Sequence, residues 1–478
     1  MKRINTFFMK TGWLTSLLVV FTFGLSNAQS DNSYTLQQCI DYALKSNYNL
    51  KNTEFDEYVS KAQIKEVRGA GLPQINGAAS VTENPNLRRL FINYNPATPG
   101  LFTFPSGSPG GVYASPNVIT VKASGDAGVN VSQMLFNGSY LVGLKASKTV
   151  AELSHKNVMM SQIQIVENVS KAFYSLVINN ERKNLLDANI ARVDSLLKQT
   201  RSMNEQGFVE KIDVDRVEVT YNNLVVERTK FDQLVELTKL LLKFQMGYDV
   251  NNEIIVKGDI SDVTNLITST FTTDTTAYQN RIEYKILETQ YSIEKLNLKN
   301  KHMQSAPTLT AVGSLGYYRG GNNVGGLFSK GNELPAAVSS YHDQWYRYDY
   351  VGVNLNVPIF SGLSRYYRAQ QSKITLQKIE NNLDAFKQSA SLQVHQAEIN
   401  FKNNSLTLEN QKRNMNLAAE VTRVTKIKYQ QGIGANLDVV TAETSHKEAQ
   451  TNYYNALYDL MVSQIDYQKA MGTLYQPK

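Results

Sequence analysis

Two stretches of about 65 residues that contain neither glycine nor proline most constrain what this chain can fold into. The first runs from Leu144 to Gln206 and the second from Ser364 to Gln431. Apolar residues recur in both every three or four positions, between charged and amide side chains, which is the pattern of a packed coiled coil with solvent on one side. Each helix would measure about 95–100 Å, which is too long for a compact domain.

Both stretches end at a turn of the same design. A glycine closes each stretch, and six residues later an aspartate stands where a return helix should begin. The matching residues, each pair separated by 225 positions, are Gly207 and Gly432, Asp213 and Asp438, and Glu218 and Glu443. The sequence therefore predicts two long helical hairpins in an internally duplicated chain.

Four further segments alternate between polar and apolar residues, which is the period of a β-strand. The polar positions of the second and fourth segments are Asn130, Ser132, Asn354 and Asn356. Residues 84–117 and 319–345 are rich in Gly, Pro, Asn and Ser, and they predict long exposed loops between the strands of each pair.

These elements predict a chain in two halves. Pro73 and Pro307 end two earlier helices, at 34–70 and 279–305, just before a strand. The predicted segments are a signal peptide at 1–28, a first repeat at 29–247, a linker at 248–276, a second repeat at 277–472 and a tail at 473–478. The strands are expected at 74–82, 118–136, 308–318 and 346–360, and the helical hairpins at 139–246 and 363–470.

The first 28 residues have the three parts of a secretory signal. Lys2, Arg3 and Lys10 supply the positive charge, an apolar run from Trp13 to Leu25 follows, and Ser26-Asn27-Ala28 is a small-x-small cleavage site. A membrane anchor is the alternative, but a spanning helix needs about 20 apolar residues. The chain is therefore expected to be exported.

The composition argues against several classes of function. A net charge of +7 is too small to indicate a nucleic-acid partner, and the single Cys39 leaves no disulfide framework. The five histidines are scattered without metal-ligand spacing, and no Ser/His/Asp or Cys/His arrangement recurs at a sensible spacing. Neither an enzyme nor a cofactor or metal site is expected.

The predicted strands raise a question of closure. Four strands cannot form a membrane barrel alone, because known barrels have at least about eight, and an open sheet in lipid would leave its edges unpaired. Three copies would supply twelve strands around a lumen lined by the polar positions. Aromatic residues near the second loop suit an interfacial girdle, namely Tyr317, Tyr318, Trp345, Tyr346, Tyr348 and Tyr350. The alternative is a soluble β-sandwich edge with incidental tyrosines.

Three motifs carry a resemblance to a known family. They are Tyr429-x-x-Gly432 with Leu437-Asp438-Val439-x-x-Ala442-Glu443, the strand-to-helix segment Ile359-Phe360-Ser361-Gly362, and Leu72-Pro73 before the first strand. Together they resemble the TolC family of outer-membrane efflux channels. The resemblance implies a membrane α+β fold: a homotrimeric 12-stranded β-barrel with four strands per chain, continued by a long α-helical coiled-coil tunnel in the periplasm.

The resemblance also implies partners and roles. The turns at Gly207, Phe208, Val209, Gly432 and Ile433 would dock a periplasmic adaptor and, through it, an inner-membrane pump of the RND, ABC or MFS type. Asp438, Tyr429 and Asp213 match gating positions of the family. Gly434 and Thr441 depart from it, since some members have an arginine tether and a second aspartate there. An alternative role for Asp213 and Asp438, compatible with gating, is a helix N-terminal charge or cap.

Two other classes of protein compete with a passive exit duct. A periplasmic coiled-coil adaptor without its own pore also contains long hairpins, but adaptors carry one hairpin flanked by compact β domains, whereas this sequence predicts two hairpins and no such modules. In an exported enzyme the acidic residues would form a site, but here they lie mostly on solvated helix faces. The cargo is not encoded in any of these patterns.

Overall fold

The structure is a computed structural model that describes residues 33–93, 111–115, 120–258, 277–329 and 344–476. The predicted signal peptide at 1–28 lies outside the described residues, as does much of the predicted linker at 248–276. Within the described ranges the chain has a helix-rich α+β fold, in which one antiparallel sheet leads into very long helices.

The first half of the chain contains one pair of strands of the main sheet and one helical hairpin, together with shorter elements. In chain order they are β1 (Ser33–Tyr34), α1 (Leu36–Ser46), α2 (Tyr48–Gly69), β2 (Gln74–Glu83), β3 (Leu90–Asn93), β4 (Val112–Ser115), β5 (Ala123–Asn137), α3 (Gly138–Glu205), α4 (Lys211–Met246) and β6 (Ile255–Val256).

The second half repeats the order of helix, strand pair and hairpin. After a short 3₁₀ turn at Ala277–Asn280 its elements are α5 (Ile282–Met303), β7 (Thr308–Gly321), α6 (Val324–Phe328), β8 (Tyr346–Asn356), α7 (Ser364–Gln430) and α8 (Asn436–Met471). The long helices α3 and α7 have 68 and 67 residues, and the return helices α4 and α8 have 36 each.

The predicted single helix at 34–70 is divided in two. Asn47 has extended backbone angles, and its side-chain oxygen accepts hydrogen bonds from the N–H groups of Asn49 and Leu50, so that it starts α2 as an N-cap. Its side-chain amide also donates to the carbonyl of Gln245, at 2.8 Å. The break therefore ties the start of α2 to the end of α4.

The strand ends differ from the predicted ones. The strand expected at 118–136 begins at Ala123, and the one expected at 346–360 ends at Asn356, just before Pro358, which has no N–H for a strand ladder. The region 84–117, expected as an exposed loop, contains the antiparallel pair of β3 and β4. Residues 94–110 and 116–117 of this region lie outside the described ranges.

The main sheet has the strand order β2-β5-β7-β8, and neighbouring strands are antiparallel. Asn76 pairs with Asn130, Asn130 with Ser314 and Ser314 with Tyr350, so these side chains lie on the same face. Leu135 is an unpaired bulge residue between Met134 and Phe136. The outer edges of β2 and β8 have no partner within the described chain.

The two faces of this sheet differ in polarity. One face carries mostly amide, hydroxyl and tyrosine side chains, and the other carries mostly aliphatic ones. The aliphatic face is solvent-exposed in the single chain, with Ile75, Val351 and Leu355 at 67%, 90% and 64% exposure. All four long helices lie beyond the same end of the sheet, because β5 leads directly into α3 and β8 leads through a short connection into α7.

The helices pack around separate apolar clusters. One joins α1, α3 and α4 through residues such as Cys39, Phe173 and Leu242, and a second joins α3, α7 and α8 through Ile178, Phe401 and Leu457. Cys39 is fully buried, and burial raises the pKa of its thiol to about 12. The thiol is therefore a core side chain rather than a reactive one.

An ionic cluster around the buried Glu167 joins α3 to α8. Glu167 accepts hydrogen bonds from Lys171 at 2.8 Å and from Lys469 at 2.6 Å, and Lys171 also pairs with Asp466. Burial alone would raise the pKa of Glu167, but the hydrogen bonds from the two lysines outweigh it and hold the pKa below its ordinary value. The pairing therefore keeps a buried carboxylate charged between the two hairpins.

Among the residues that the structure describes, no helix combines the length and the apolar character needed to cross a membrane.

Candidate functional site

The two hairpin turns have the same backbone geometry. Gly207 and Gly432 have φ values of +76° and +71°, in the left-handed region that favours glycine. In each turn the glycine N–H and the following N–H donate to carbonyls of the last helical turn; for Phe208 the acceptor is Met203 and for Ile433 it is Lys428. This is the Schellman ending of a helix, which satisfies its last carbonyls and reverses the chain.

Apolar side chains project from both turns. Phe208 and Ile433 are each 73% exposed, and at the first turn of each return helix Ile212 and Leu437 are more than half exposed. These pairs again stand 225 residues apart. The described chain therefore presents the same exposed apolar pattern twice at its helical end, where an isolated protein gains nothing from it. Val209 is half-buried, and its carbonyl accepts from the Asn204 amide.

The two aspartates lie in the first turns of the return helices. The N-cap residues Glu210 and Ala435 make no side-chain cap bonds, so Asp213 and Asp438 supply charge near the helix N-terminus rather than a cap. Asp213 also pairs with Arg216, at 3.2 Å. Asp438 is exposed, and its backbone N–H donates to the carbonyl of Ala435.

Tyr429 is buried inside the helices rather than at the surface of the turn. It is 3% exposed and packs with Val439 of α8 and with apolar residues of α3 and α4. Its hydroxyl lies 3.3 Å from Thr200 Oγ1 on α3 and accepts from the Asn436 amide, also at 3.3 Å. Tyr429 therefore links the second hairpin to the first through Thr200. Asp213 of the first hairpin pairs instead with Arg216 of its own helix.

The two positions that depart from the resemblance differ in their surroundings. Thr441 is exposed on α8. Gly434 is half-buried, and a Cβ built on it would lie 3.1 Å from the backbone nitrogen of Tyr429 and 3.2 Å from Cβ of Lys428. A side chain at position 434 would therefore press on the last turn of α7, which carries Tyr429.

A second polar cluster lies farther from the turns, between α3 and α8. Asn189 donates to Gln450 at 3.1 Å and accepts from Arg192, and Arg192 lies 3.5 Å from the Glu443 carboxylate. The Gln450 amide lies 3.1 Å from Nε2 of His446. These five side chains join one hairpin to the other through polar contacts in a mainly apolar interface.

His446 is the titratable centre of this cluster. It is 9% exposed, and its Nδ1 has no hydrogen-bond partner. Burial, and then the positive charge of Arg192, hold the pKa of His446 below its ordinary value, although Glu443 acts in the opposite direction. The packed hairpins therefore favour the neutral imidazole. Beside the cluster is a groove of about 180 Å³ between α3, α4 and α8, lined in part by Asn189, Glu443 and Lys447.

The positions predicted to line a lumen share one face of the sheet. Asn130 pairs with Asn76 and Ser314, and Ser132 with Gln74 and Val312, while Thr310 and Thr308 stand opposite the two β8 asparagines. Because paired positions point to the same side, the register places the four predicted residues together, namely Asn130, Ser132, Asn354 and Asn356.

The predicted aromatic girdle is divided between the two faces. Tyr318 pairs with Tyr346, and they lie on the polar face with Tyr348 and Tyr350, whereas Tyr317 lies on the aliphatic face. Trp345 precedes β8 and contacts Phe328, with ring centroids 6.4 Å apart. A Cβ built on Gly125, an aliphatic-face position, would lie 2.6 Å from the Trp345 ring. The girdle hypothesis therefore applies to Tyr317 and Trp345, while four tyrosines face the predicted lumen.

The sequence patterns did not identify the contacts between the hairpins. The signal that could have revealed them is the row Glu443, His446 and Gln450, which continues the apolar face of Val439 and Ala442 along α8. Polar residues at helical spacing within a buried face usually have buried partners. Within the described residues, no group of three His, Cys, Asp or Glu side chains is arranged as metal ligands would be.

Comparison with known proteins identifies a family. The family model described as outer membrane efflux protein matches residues 39–224 and 299–473, which is well over half of the chain. The chain is 22% identical over 353 residues to the outer membrane protein TolC of Vibrio cholerae, covering 73% of this chain and 76% of that protein.

Solved structures share the fold. A crystal structure of CusC superposes with a TM-score of 0.71 at 14% identity and covers 91% of both chains. The CmeC outer membrane channel of Campylobacter jejuni superposes with a TM-score of 0.68 at 18% identity, covering 93% of this chain and 86% of that one. These matches do not favour a periplasmic adaptor without a pore. The chain belongs to the outer membrane efflux protein family, and it is an efflux channel of the outer membrane that extends into the periplasm.

Proposed function

We propose that this chain works as a homotrimer in which three four-stranded sheets close one 12-stranded barrel. The observation that carries the proposal is the sheet itself, which has one polar face, one aliphatic face and two edge strands without a partner among the described residues. In outer-membrane lipid, free edges would leave backbone groups without hydrogen bonds at a cost of several kcal/mol each. Pairing between copies removes the edges, and the aliphatic face then meets the lipid.

The strand directions support closure by whole copies. Neighbours alternate along β2-β5-β7-β8, so the two edge strands run in opposite directions. When β8 of one copy meets β2 of the next, the pair is therefore antiparallel again, as in a continuous barrel. Eight strands from two copies would also close, and the resemblance to the TolC family favours twelve from three.

The long helices would form the wall of a tunnel below the barrel. About 67 residues of α-helix extend about 100 Å, and the turns at Gly207 and Gly432 stand at the far end of the hairpins. The matching lengths of α3 with α7 and of α4 with α8 support an internal duplication, in which each half supplies one strand pair and one hairpin.

The turns would dock a periplasmic adaptor, which connects the duct to an inner-membrane pump of the RND, ABC or MFS type. The exposed apolar residues Phe208 and Ile433, with their neighbours Gly207, Val209 and Gly432, support this assignment because such a pattern suits a partner surface.

The duct itself would be passive and not an enzyme, would need no cofactor and would not bind nucleic acid. The pump would supply the energy, and the sequence leaves the cargo open.

The same end of the molecule would act as the gate. Tyr429 would hold the hairpins together from inside through Thr200, and Asp438 and Asp213 would place negative charge at the entrance. Thr441 and Gly434 lack the side chains that some relatives use there. In the barrel, Asn130, Ser132, Asn354 and Asn356 would line the water-filled lumen.

Two measurements on the purified full chain test the oligomer and the pore. Its mass in detergent should be that of three copies, and the complex should migrate on a gel as a trimer that heating dissociates. In a planar lipid bilayer it should conduct ions. A monomer that does not conduct would refute the proposal.

A partner experiment tests the docking turns. A photo-crosslinking residue placed at Phe208 or Ile433 in cells should capture an adaptor subunit. The matched control is Arg413, which is also highly exposed, at 73%, but lies about 30 Å along α7 from the turn. Equal capture from all three positions would show that the turns are not a specific docking surface.

The role of Asp438 has its own test. Asp438→Ala should loosen the closed tip and so raise single-channel conductance, and it should weaken block by divalent cations because it removes a carboxylate from the entrance. Asp384→Ala is the control, since Asp384 is an exposed acid on the same hairpin, about 70 Å from the turn. Unchanged conductance and unchanged cation block in Asp438→Ala would remove this residue from the gate.

A further inference from the structure

Four tyrosines share the polar face of the sheet at the end away from the helices. Tyr346 stands opposite Tyr318, while Tyr348 and Tyr350 stand opposite Gly316 and Ser314. Tyr318, Tyr346 and Tyr350 are 44%, 46% and 56% exposed, so their rings are accessible from this side. Residues two apart on a strand are about 6.5 Å apart, and the four tyrosines therefore form one continuous aromatic patch.

The Tyr348 side chain reaches across the sheet. Its hydroxyl donates to Oδ1 of Asp126 at 3.2 Å, although Asp126 is on β5 and Tyr348 on β8, with β7 between them. A Cβ built on Gly316 would lie 2.6 Å from this hydroxyl, and one built on Gly128 would lie 3.1 Å from it. The ring therefore lies across the backbone of β7, in space that the two glycines leave open.

The charge on this face has one sign. Among the described residues of β2, β5, β7 and β8 that point to the polar face, Asp126 is the only charged side chain. The other charged strand residues, Glu83, Arg319, Arg347 and Asp349, stand at positions of the opposite face. The aromatic patch therefore lies to one side of a single carboxylate, and no cation occupies a described strand position of the same face.

We propose that this patch is a recognition site for organic cations that carry an aromatic or quaternary ammonium group. The faces of tyrosine rings attract such cations, the Asp126 carboxylate adds a formal negative charge, and the rings supply apolar area for the body of the solute. The inference rests on the proposed function, because it takes the polar face as the channel lumen. The site then selects among solutes near the external end of the duct.

The experiment measures block of the channel by a probe cation. Full-length protein is inserted into a planar bilayer, and phenyltrimethylammonium is added on the side of the loops while ion current is recorded. Benzenesulfonate, of similar size and opposite charge, is the solute control. Phenyltrimethylammonium should reduce the current at a concentration at which benzenesulfonate does not.

The variants locate the site. Tyr348→Leu, Tyr350→Leu and Asp126→Asn should each weaken the block by about two- to fivefold, the effect of losing one exposed cation–π or charge contact. Tyr348→Phe keeps the ring and should retain most of the block. The matched control is Tyr317→Leu, because Tyr317 is 51% exposed in the same part of β7 but on the opposite face. It should leave the block unchanged.

The possible outcomes separate this inference from the proposed function. If the protein conducts but the block is the same in all variants, or if Tyr317→Leu weakens it as much as Tyr350→Leu does, the recognition site is refuted and the channel stands. If the protein does not conduct at all, the proposed function fails and the inference fails with it. Trimer migration on a gel shows for each variant that the assembly is intact.

Discussion

The hydroxyl of Tyr429 offers the most direct test of how the hairpins are held together. The substitution Tyr429→Phe removes one oxygen and leaves the ring, which is 97% buried, in its apolar surroundings. Two hydrogen bonds are lost, both 3.3 Å long. We expect the closed arrangement of the hairpins to be destabilised and the channel to open more often.

The size of the destabilisation depends on whether Thr200 and Asn436 keep other hydrogen-bond partners after Tyr429→Phe. Thr200 keeps a hydrogen bond to the carbonyl of Leu196, at 2.9 Å, so its hydroxyl is not orphaned. Asn436 is 4% exposed, its Oδ1 already has no partner, and its amide would lose the Tyr429 oxygen. A buried orphaned donor costs about 1–3 kcal/mol, and the long bonds favour the lower half of that range.

The assay is the open probability of single channels in a bilayer. A shift of about 1–2 kcal/mol changes a two-state ratio by about 5–30-fold, provided that opening lets water reach Asn436. The control is Tyr453→Phe, since Tyr453 is a partly buried tyrosine of the same hairpin whose hydroxyl makes no hydrogen bond within the described residues. It should leave the open probability within about twofold of the unmodified channel.

A double variant separates the hydrogen bond from general loosening. If the Asn436 bond is the source of the effect, Tyr429→Phe combined with Asn436→Ala should open little more than Asn436→Ala alone, because the shared contact is already gone. Two results would refute the reasoning: equal open probabilities for Tyr429→Phe and Tyr453→Phe, or full additivity in the double variant.

Two further predictions concern the turns and the polar cluster. Gly207→Ala and Gly432→Ala should each lower stability by about 1–2 kcal/mol, because both glycines have left-handed backbone angles. The midpoint of thermal unfolding measures this loss. The control is Gly143→Ala inside α3, which should not lower the midpoint because no atom lies near its Cβ position. Burial and Arg192 hold the pKa of His446 below its ordinary 6.5, so the unfolded chain binds this proton at a higher pH than the folded chain does. The free energy of unfolding should therefore be highest above pH 6.5 and should fall as the pH drops from there through the lower pKa of the folded state. Between about pH 7.5 and pH 5.5 the midpoint should therefore fall more than in His446→Gln, and an equal fall in both would exclude the histidine.

The long helices, their turns and the polar face of the sheet could be predicted because each depends on neighbours in sequence. Absence of glycine and proline over about 65 residues leaves few alternatives to helix, and a glycine at the end of such a run marks a left-handed ending. The division at Asn47 was also within reach, since Asn is a common N-cap, but the apolar spacing on both sides concealed it.

The contacts between the hairpins could not be predicted, because they depend on which faces of distant helices meet. The internal repeat gives no help at these positions. The residues 225 positions away from Arg192 and His446 are Leu417 and Tyr221, so neither polar side chain has a polar-cluster counterpart in the other hairpin. If the two hairpins are repeats, as proposed, matching positions of the two contact different neighbours, so the sequence of one hairpin does not predict the contacts of the other.

Gly434 shows how the second turn differs from the first. Its counterpart in the first turn is Val209, so a side chain is compatible with the turn as such. At position 434, however, a Cβ would meet the backbone of Tyr429 and the Cβ of Lys428 at 3.1–3.2 Å, closer than ordinary van der Waals contact. An arginine there would gain a tether at the surface while pushing on the helical turn that places the Tyr429 hydroxyl between Thr200 and Asn436. In the proposed gate, a tether at position 434 and the buried contacts of Tyr429 would therefore compete for the same space. With glycine at this position, the buried tyrosine is the arrangement that the backbone allows.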